Sequence, residues 1–260
     1  MESLGFSIQD LYKTLLILFR TGALFMTVPV FGHVSIPRIL RVWMMLIFSF
    51  LILPFAVVSD IQPPSTTFHL AVVILSELAI GFAIGFAIII LFSAVQFAGH
   101  MIGLQMGLAV ASVMDPMSAE RISIIGEFYY LFSLLIFLMI NGHHFVIRAL
   151  VRSYELIPIG GGMFEGTLGE FIVYLTGNLF IVAVKLAAPV IITLFIVNVV
   201  FGIVARTIPQ MNVFIVGFPL ALGIGLIMIR FSLPFFKTVF VNAFEELEMD
   251  IIRIILLIKG

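Results

Sequence analysis

Residues Gln96 to Ser118 read QFAGHMIGLQMGLAVASVMDPMS. Small residues recur there at every fourth position, Gly99, Gly103, Gly107 and Ala111. On a helix that spacing lines them up in one nearly straight groove, and such a groove lets a second helix approach closely. Asp115-Pro116 closes the pattern, because proline disfavours helical backbone in the residue before it. The stretch therefore predicts a tightly packed helix that runs into a short irregular loop. Irregular backbone in an apolar protein is tolerated only where it is buried in protein or lines a wet cavity, so the loop is the expected functional element. Met101, Met106, Met114 and Met117 surround it. Methionine fills irregular gaps, and here it reads either as ordinary packing or as a deformable seal.

The rest of the chain sets the medium. Of 260 residues, 62% are hydrophobic and only 10% charged, against about 45–50% and roughly 25% in soluble domains. The chain belongs in or against membrane lipid. Its length permits about six transmembrane helices of ~20 residues. The expected fold is all-α, built of membrane-associated helical hairpins with kinked and broken helices and no sheet. A net charge of −1 with no basic run gives no support for a nucleic-acid partner. The lack of cysteine excludes disulfides, thiol catalysis and thiolate metal sites. Glu2 and Asp10 stand where a signal peptide carries positive charge, so a cleaved leader is not expected. No nucleophile elbow, metalloprotease helix or phosphate-binding glycine loop is present. The expectation is a protein that is not an enzyme and uses no cofactor. His143-His144 is the one metal-like pair. Adjacent helical side chains point about 100° apart and no ligand follows at i+4, so the pair reads as an interfacial turn and no metal is expected.

In chain order, Leu11–Phe31 is a first apolar segment, interrupted by Lys13 and Arg20, and Pro29, Gly32 and Pro37 mark a connection. Val42–Val58 is a second segment, and Asp60–Thr67 the clearest loop. Phe68–Ala98 is overlong for one perpendicular span and leads into the opening stretch without a polar break, which predicts a tilted or broken helix pair. Ile122–Asn141 has span length. Gly142–Gly169 is the longest polar-leaning connection. Phe171–Val204, with a kink expected at Pro189, and Met211–Phe231 form a helical hairpin. Pro234 is expected to break the chain before an amphipathic tail, Thr238–Gly260.

A six-span topology gives no clear excess of Lys and Arg on either side, contrary to the positive-inside rule. Either the span assignment is wrong or the helices are not all independent membrane spans. Arg20, Glu77 and Lys185 sit in apolar surroundings, where charge tends to face protein or water. They are candidates for buried pairs and subunit contacts, or for an ion path.

The run Gly103-Leu104-Gln105-Met106-Gly107-Leu108, with Asp115-Pro116 downstream, resembles the FliR family of flagellar biosynthetic proteins and its virulence-system counterparts. Asn141-Gly142-His143, Pro158-Ile159-Gly160, Pro209-Gln210-Met211-Asn212 and Val216-Gly217-Phe218-Pro219 agree in order. The likeness covers nearly the whole chain and leans flagellar. It implies a core subunit of the flagellar type III secretion export gate in the bacterial inner membrane, within the flagellar basal body. There it would assemble with FliP and FliQ as a FliPQR complex, contact FlhB and FlhA, and help form and close the central channel for unfolded flagellar proteins. The resemblance further implies a FliP-like part over residues 1–170 and a FliQ-like hairpin and tail over 171–260.

Carried over by motif, the family's plug loop falls at about Val110 to Arg121. Met106, Val110, Val113, Met114, Asp115, Pro116 and Met117 then line the pore or plug, with Asp115-Pro116 fixing the loop's exit. Gly99, Gly103, Gly107 and Ala111 pack the helix behind it. The family often carries phenylalanines where this chain has Val110 and Val113, and an acidic residue where it has His100. The alternative is a stand-alone transporter or channel with broken helices at Pro116 and Pro189, around Glu77 and Lys185. Transporters of that kind repeat a broken pair in both halves, and the correspondence here is loose. A membrane-embedded enzyme is disfavoured by the lack of any polar constellation.

Overall fold

A computed structural model of the chain describes residues 8–32, 36–54, 66–108, 123–162, 166–208, 210 and 212–259. Among the described residues there are eight helices and no strand: α1 (Ile8–Thr27), α2 (Pro29–Gly32), α3 (Arg38–Ile52), α4 (Thr67–Gln105), α5 (Ile124–Met139), α6 (Gly142–Leu156), α7 (Gly166–Thr207) and α8 (Val213–Lys259). They fall into two compact units, each gathered from separate stretches of chain. One comprises residues 1–90, 138–176 and 245–260, the other 91–137 and 177–244.

In the first unit, α1 turns one stripe inward. Leu16, Ile17, Arg20, Thr21, Leu24 and Phe25 are buried, the spacing of a single helical face. Phe25 stacks on Phe31 at 4.4 Å and tilts against Phe48 of α3 at 5.0 Å. The first half of α4 meets α1 through Gly81 and Gly85. A Cβ at Gly81 would run into the Arg20 carbonyl, and one at Gly85 into the Thr27 hydroxyl. α6 occupies part of what the sequence reads as a long connection. Phe145, Val146, Ala149, Leu150, Ser153 and Tyr154 form its buried face, while Arg148, Arg152 and Glu155 lie outside it and lend the segment its polar look. The end of α8 adds Leu247, Ile251, Ile254, Ile255 and Ile258 to this core.

In the second unit, an aromatic ladder joins α5 and α8. Phe236 stacks on Tyr129 at 4.8 Å, and Phe137 meets Phe244 edge-on at 5.4 Å. Phe92 of α4 sits between Phe137 (5.7 Å) and Phe240 (5.9 Å), both edge-on. Aromatic pairs contribute about 0.5–1.5 kcal/mol beyond their burial.

Several expectations are corrected. α4 is one unbroken helix of 39 residues rather than a tilted or broken pair, because no proline or charged break interrupts 78–105 and its glycines are held against neighbouring helices. α8 runs for 47 residues straight through Pro219 and Pro234, so the amphipathic tail is not a separate element. An interior proline costs about 3 kcal/mol; the packing of Phe236, Phe240 and Phe244 just beyond Pro234 offsets that cost. α3 stops at Ile52, before Pro54. Among the described residues six spans are not found: three helices are long and apolar enough to cross a membrane, or four if the broken pair Ile124–Met139 and Gly142–Leu156 counts as one.

The glycines separate into packed and open positions, which gives a direct contrast. A Cβ at Gly99 would lie 2.5 Å from the Gly126 Cα and 2.7 Å from its nitrogen, whereas nothing stands within 4 Å of a Cβ at Gly177. Thermal unfolding of the purified full chain is expected to show Gly99→Ala destabilised by about 1–3 kcal/mol through overpacking. Gly177→Ala is expected to be stabilised by up to about 1 kcal/mol through helix propensity.

Candidate functional site

The first site is built where α4 ends. Gly99 and Gly103 lie on the helix, and they bring α5 onto it. A Cβ at Gly103 would lie 3.1 Å from the Ser123 Oγ. Ser123 caps α5: its hydroxyl accepts the Gly126 N–H at 3.1 Å and donates to the Gly99 carbonyl at 3.5 Å. Glu127 in the first turn of α5 adds favourable charge at the helix N-terminus.

Gly107 has a different role from the one expected of it. It does not continue the packing groove; it terminates the helix. Its φ is +82°, its N–H bonds the Leu104 carbonyl at 3.0 Å, and the Leu108 N–H bonds the Gly103 carbonyl at 3.0 Å. That pair of bonds closes a helix end with a left-handed residue, the position glycine fills without a Cβ penalty. Glycine is required sterically as well, because a Cβ there would meet the Phe218 ring at 3.0 Å. Met106 is buried, with its side chain over Gly225 of α8, where a Cβ would come within 2.8 Å of it. The chain therefore leaves α4 at Leu108 clamped to α8, and re-enters at Ser123 clamped to α4. Both clamps converge on Gly103. Residues 109–122 run between them. Ala111, Val110, Val113, Met114, Asp115, Pro116 and Met117 all lie outside the described residues.

The second site is a buried ion pair in the first unit. Arg20 and Glu77 are both fully buried. The guanidinium grips the carboxylate with two bonds, Nε to Oε2 at 2.7 Å and Nη2 to Oε1 at 3.1 Å. Nη1 donates to the Ser153 Oγ and to the Ile157 carbonyl, each at 3.2 Å. The Tyr154 ring lies 4.2 Å below the guanidinium carbon, a cation–π contact, and its hydroxyl donates to the Ile17 carbonyl at 3.1 Å. Glu77 also accepts the Gly160 N–H at 2.8 Å. Gly160 adopts φ +76°, which aims that N–H inward. The ion pair thus fastens the turn after α6 to α1 and α4. Half-buried Tyr12 feels the same site: burial raises its phenol pKa and the Glu77 carboxylate adds to the rise.

Of the three buried-charge candidates, Arg20 and Glu77 come together and Lys185 does not. Lys185 is exposed on α7, on a helix with too few neighbours to cover it. His143 and His144 pack ring to ring at 4.1 Å, and among the described residues no group of His, Asp and Glu is arranged to hold a metal. Sequence reasoning did not find Ser123, Ser153, Tyr154 or Gly225. Ser123 carried a legible signal, a hydroxyl residue just before an apolar helical run.

With this geometry in place, comparison with known proteins is informative. The family described as "Bacterial export proteins, family 1" matches residues 11–247. The chain is 33% identical over 260 residues to the flagellar biosynthetic protein FliR of Bacillus subtilis (strain 168), covering 98% of each. It is 34% identical over 238 residues to FliR of Aquifex aeolicus (strain VF5), covering 92% of each. It is 31% identical over 230 residues to FliR of Escherichia coli (strain K12), covering 88% of this chain and 87% of that one.

Removing one partner of a buried ion pair costs about 3–5 kcal/mol, whereas replacing both with apolar residues is often close to neutral. Glu77→Leu alone is expected to lower the yield and melting temperature of the folded chain sharply. Arg20→Met with Glu77→Leu is expected to recover most of that loss, but not the part owed to the Gly160 N–H. Melting temperatures of the parent chain, the single variant and the double variant in one detergent check this.

Proposed function

The chain belongs to the bacterial export proteins, family 1, and from that membership we propose that it is the FliR-like subunit of the flagellar protein export gate. In this reading it assembles with FliP-like and FliQ-like chains in the bacterial inner membrane, as part of the basal body. It meets FlhB and FlhA and lets unfolded flagellar proteins pass through a central channel. Residues 1–170 play the FliP-like part and residues 171–260 the FliQ-like part. The segment 110–121 is the plug, with Val110, Val113 and Met114 toward the closed pore and Asp115-Pro116 setting its exit.

One observation carries the reading: the two ends of the 109–122 connection are clamped together at Gly103, by the closed terminus of α4 on one side and the Ser123 cap on the other. Val110, Val113 and Met114, which lie in sequence between those two fixed ends, are the kind of apolar side chains that a hydrophobic constriction excluding water and ions requires. The chemistry asked of the chain in this reading is small. The wide apolar exposure of α7 and α8, including Ile192, Phe195, Ile196 and Ile227, suits a subunit that is covered by other chains or by lipid.

Deleting Val110 to Met117 is expected to leave assembly largely intact and to make the membrane leak ions, read as sodium or potassium flux in energised cells. A tight membrane with the shortened chain in place removes the plug. Purification in mild detergent is expected to bring FliP-like and FliQ-like chains along with this one; a stable monomer or small homo-oligomer favours a stand-alone carrier instead.

A further inference from the structure

The three helices that could cross a membrane differ in what covers them. The most apolar stretch of α4 is 67% buried within the chain, against 28% for α7 and 22% for α8. The apolar side chains of that α4 stretch are therefore largely engaged by protein, while most of those in the corresponding stretches of α7 and α8 face outward. Both of these helices are longer than a bilayer requires, at 42 and 47 residues, so something must select which part lies in lipid. Charge does so. Residues 177–244 contain Lys185, Arg206, Arg230 and Lys237 and no Asp or Glu. Lys185, Arg206 and Arg230 are all exposed. Along α7, Lys185 and Arg206 bracket an uncharged run that is about 30 Å long at ~1.5 Å per residue. Along α8, Arg230 lies about 26 Å from the start of the helix at Val213 by the same rise. A bilayer's hydrocarbon core is about 30 Å thick.

We propose that the adjoining stretches of α7 and α8, residues 186–205 and 213–229, are the part of this chain that sits in the phospholipid bilayer. Lys185 and Arg230 reach the phosphates of one leaflet and Arg206 those of the other. The matching lengths on both helices carry the assignment, together with the sign of the charges. Long cationic side chains extend their apolar stems through the acyl boundary and keep the charge among headgroup phosphates, whereas carboxylates gain nothing there. Carboxylates return only beyond the slab, at Glu170 on α7 and at Glu245, Glu246 and Glu248 on α8. A protein partner over the same surface would need carboxylates placed at both rims, or would leave these cations unpaired in an apolar interface. The inference does not depend on a plug or on gating.

The chain lacks cysteine, so single reporters can be introduced directly. Full-length chains carrying Lys185→Cys, Ile196→Cys, Arg206→Cys, Leu220→Cys or Arg230→Cys are co-expressed with the whole export complex, placed in lipid nanodiscs and labelled with a nitroxide. Accessibility to oxygen, which concentrates in lipid, is compared with accessibility to a water-soluble nickel chelate. The oxygen-to-nickel ratio is expected to be several-fold higher at positions 196 and 220 than at 185, 206 and 230. Low accessibility to both reagents at 196 and 220 means that a protein partner covers these stretches and overturns the proposal. High nickel accessibility at 196 and 220 places these stretches in water and overturns it equally. Phe195→Cys, also exposed, replaces Ile196→Cys if that chain does not assemble.

Discussion

The second unit of this molecule depends on two helices touching backbone to backbone. α4 and α5 approach so closely that a single methyl group at Gly99 would meet the Gly126 main chain. That approach places the Ser123 hydroxyl over the last turn of α4, beside Gly103. Only then can the start of α5 and the end of α4 form one rigid base. Larger side chains would hold the helices at the ordinary interaxial distance of 8–10 Å and separate the two clamps. Glycine lowers helix propensity by about 1 kcal/mol per residue, a cost that the close contact offsets at Gly99 and Gly103.

The motifs that carry the family likeness each acquire a physical reason. Gly107 in Gly103–Leu108 terminates α4 in a conformation that side chains resist, and leaves room for the Phe218 ring from Val216–Pro219. Gly160 in Pro158–Gly160 turns its N–H to the carboxylate of Glu77. Asn141 in Asn141–His143 takes φ 59° at the break between α5 and α6, a left-handed geometry that asparagine tolerates better than most residues. Short motifs scattered along the chain are thus the places where the backbone must bend, stop or be gripped. The Arg20–Glu77 pair plays the corresponding part in the first unit, where it ties three helices and one turn with a single buried network. A fully satisfied network of this kind rigidifies, because each unpaired member would be costly in so apolar a setting.

How much of this could be read from residues alone depended on the range of the interaction. The all-α class, the apolar setting and the glycine groove at Gly99 and Gly103 follow from local spacing. α6 was hidden because Arg148, Arg152 and Glu155 on its open face masked the buried stripe of Phe145, Ala149, Leu150 and Tyr154. Pro234 reads as a break, yet α8 passes through it, since tertiary packing of phenylalanines outweighs a local penalty. The groove stops one turn short of what the spacing suggests, because Gly107 looks the same in sequence whether it packs a helix or ends one. Arg20 and Glu77 were recognisable as misfits in apolar runs, but their pairing spans 57 residues and needs the fold. Lys185 was recognisable in the same way and turned out to be exposed, because burial of a charge is decided by what stands opposite it. The same limit applies to Val110, Val113 and Met114: only their anchors, at Met106–Leu108 and Ser123, lie among the described residues.

The central claim is that the end of α4 and the start of α5 are fastened together at Gly103 and Ser123 and stay so in the working complex. Cysteines at Gly103→Cys and Ser123→Cys test this most directly, since a Cβ at residue 103 lies 3.1 Å from the residue 123 side chain and the chain has no cysteine of its own. The account predicts that the disulfide forms readily in the assembled complex and that the oxidised complex still exports flagellar proteins and still holds ions back. Failure of the cross-link to form, or export that stops on oxidation and resumes on reduction, would contradict it.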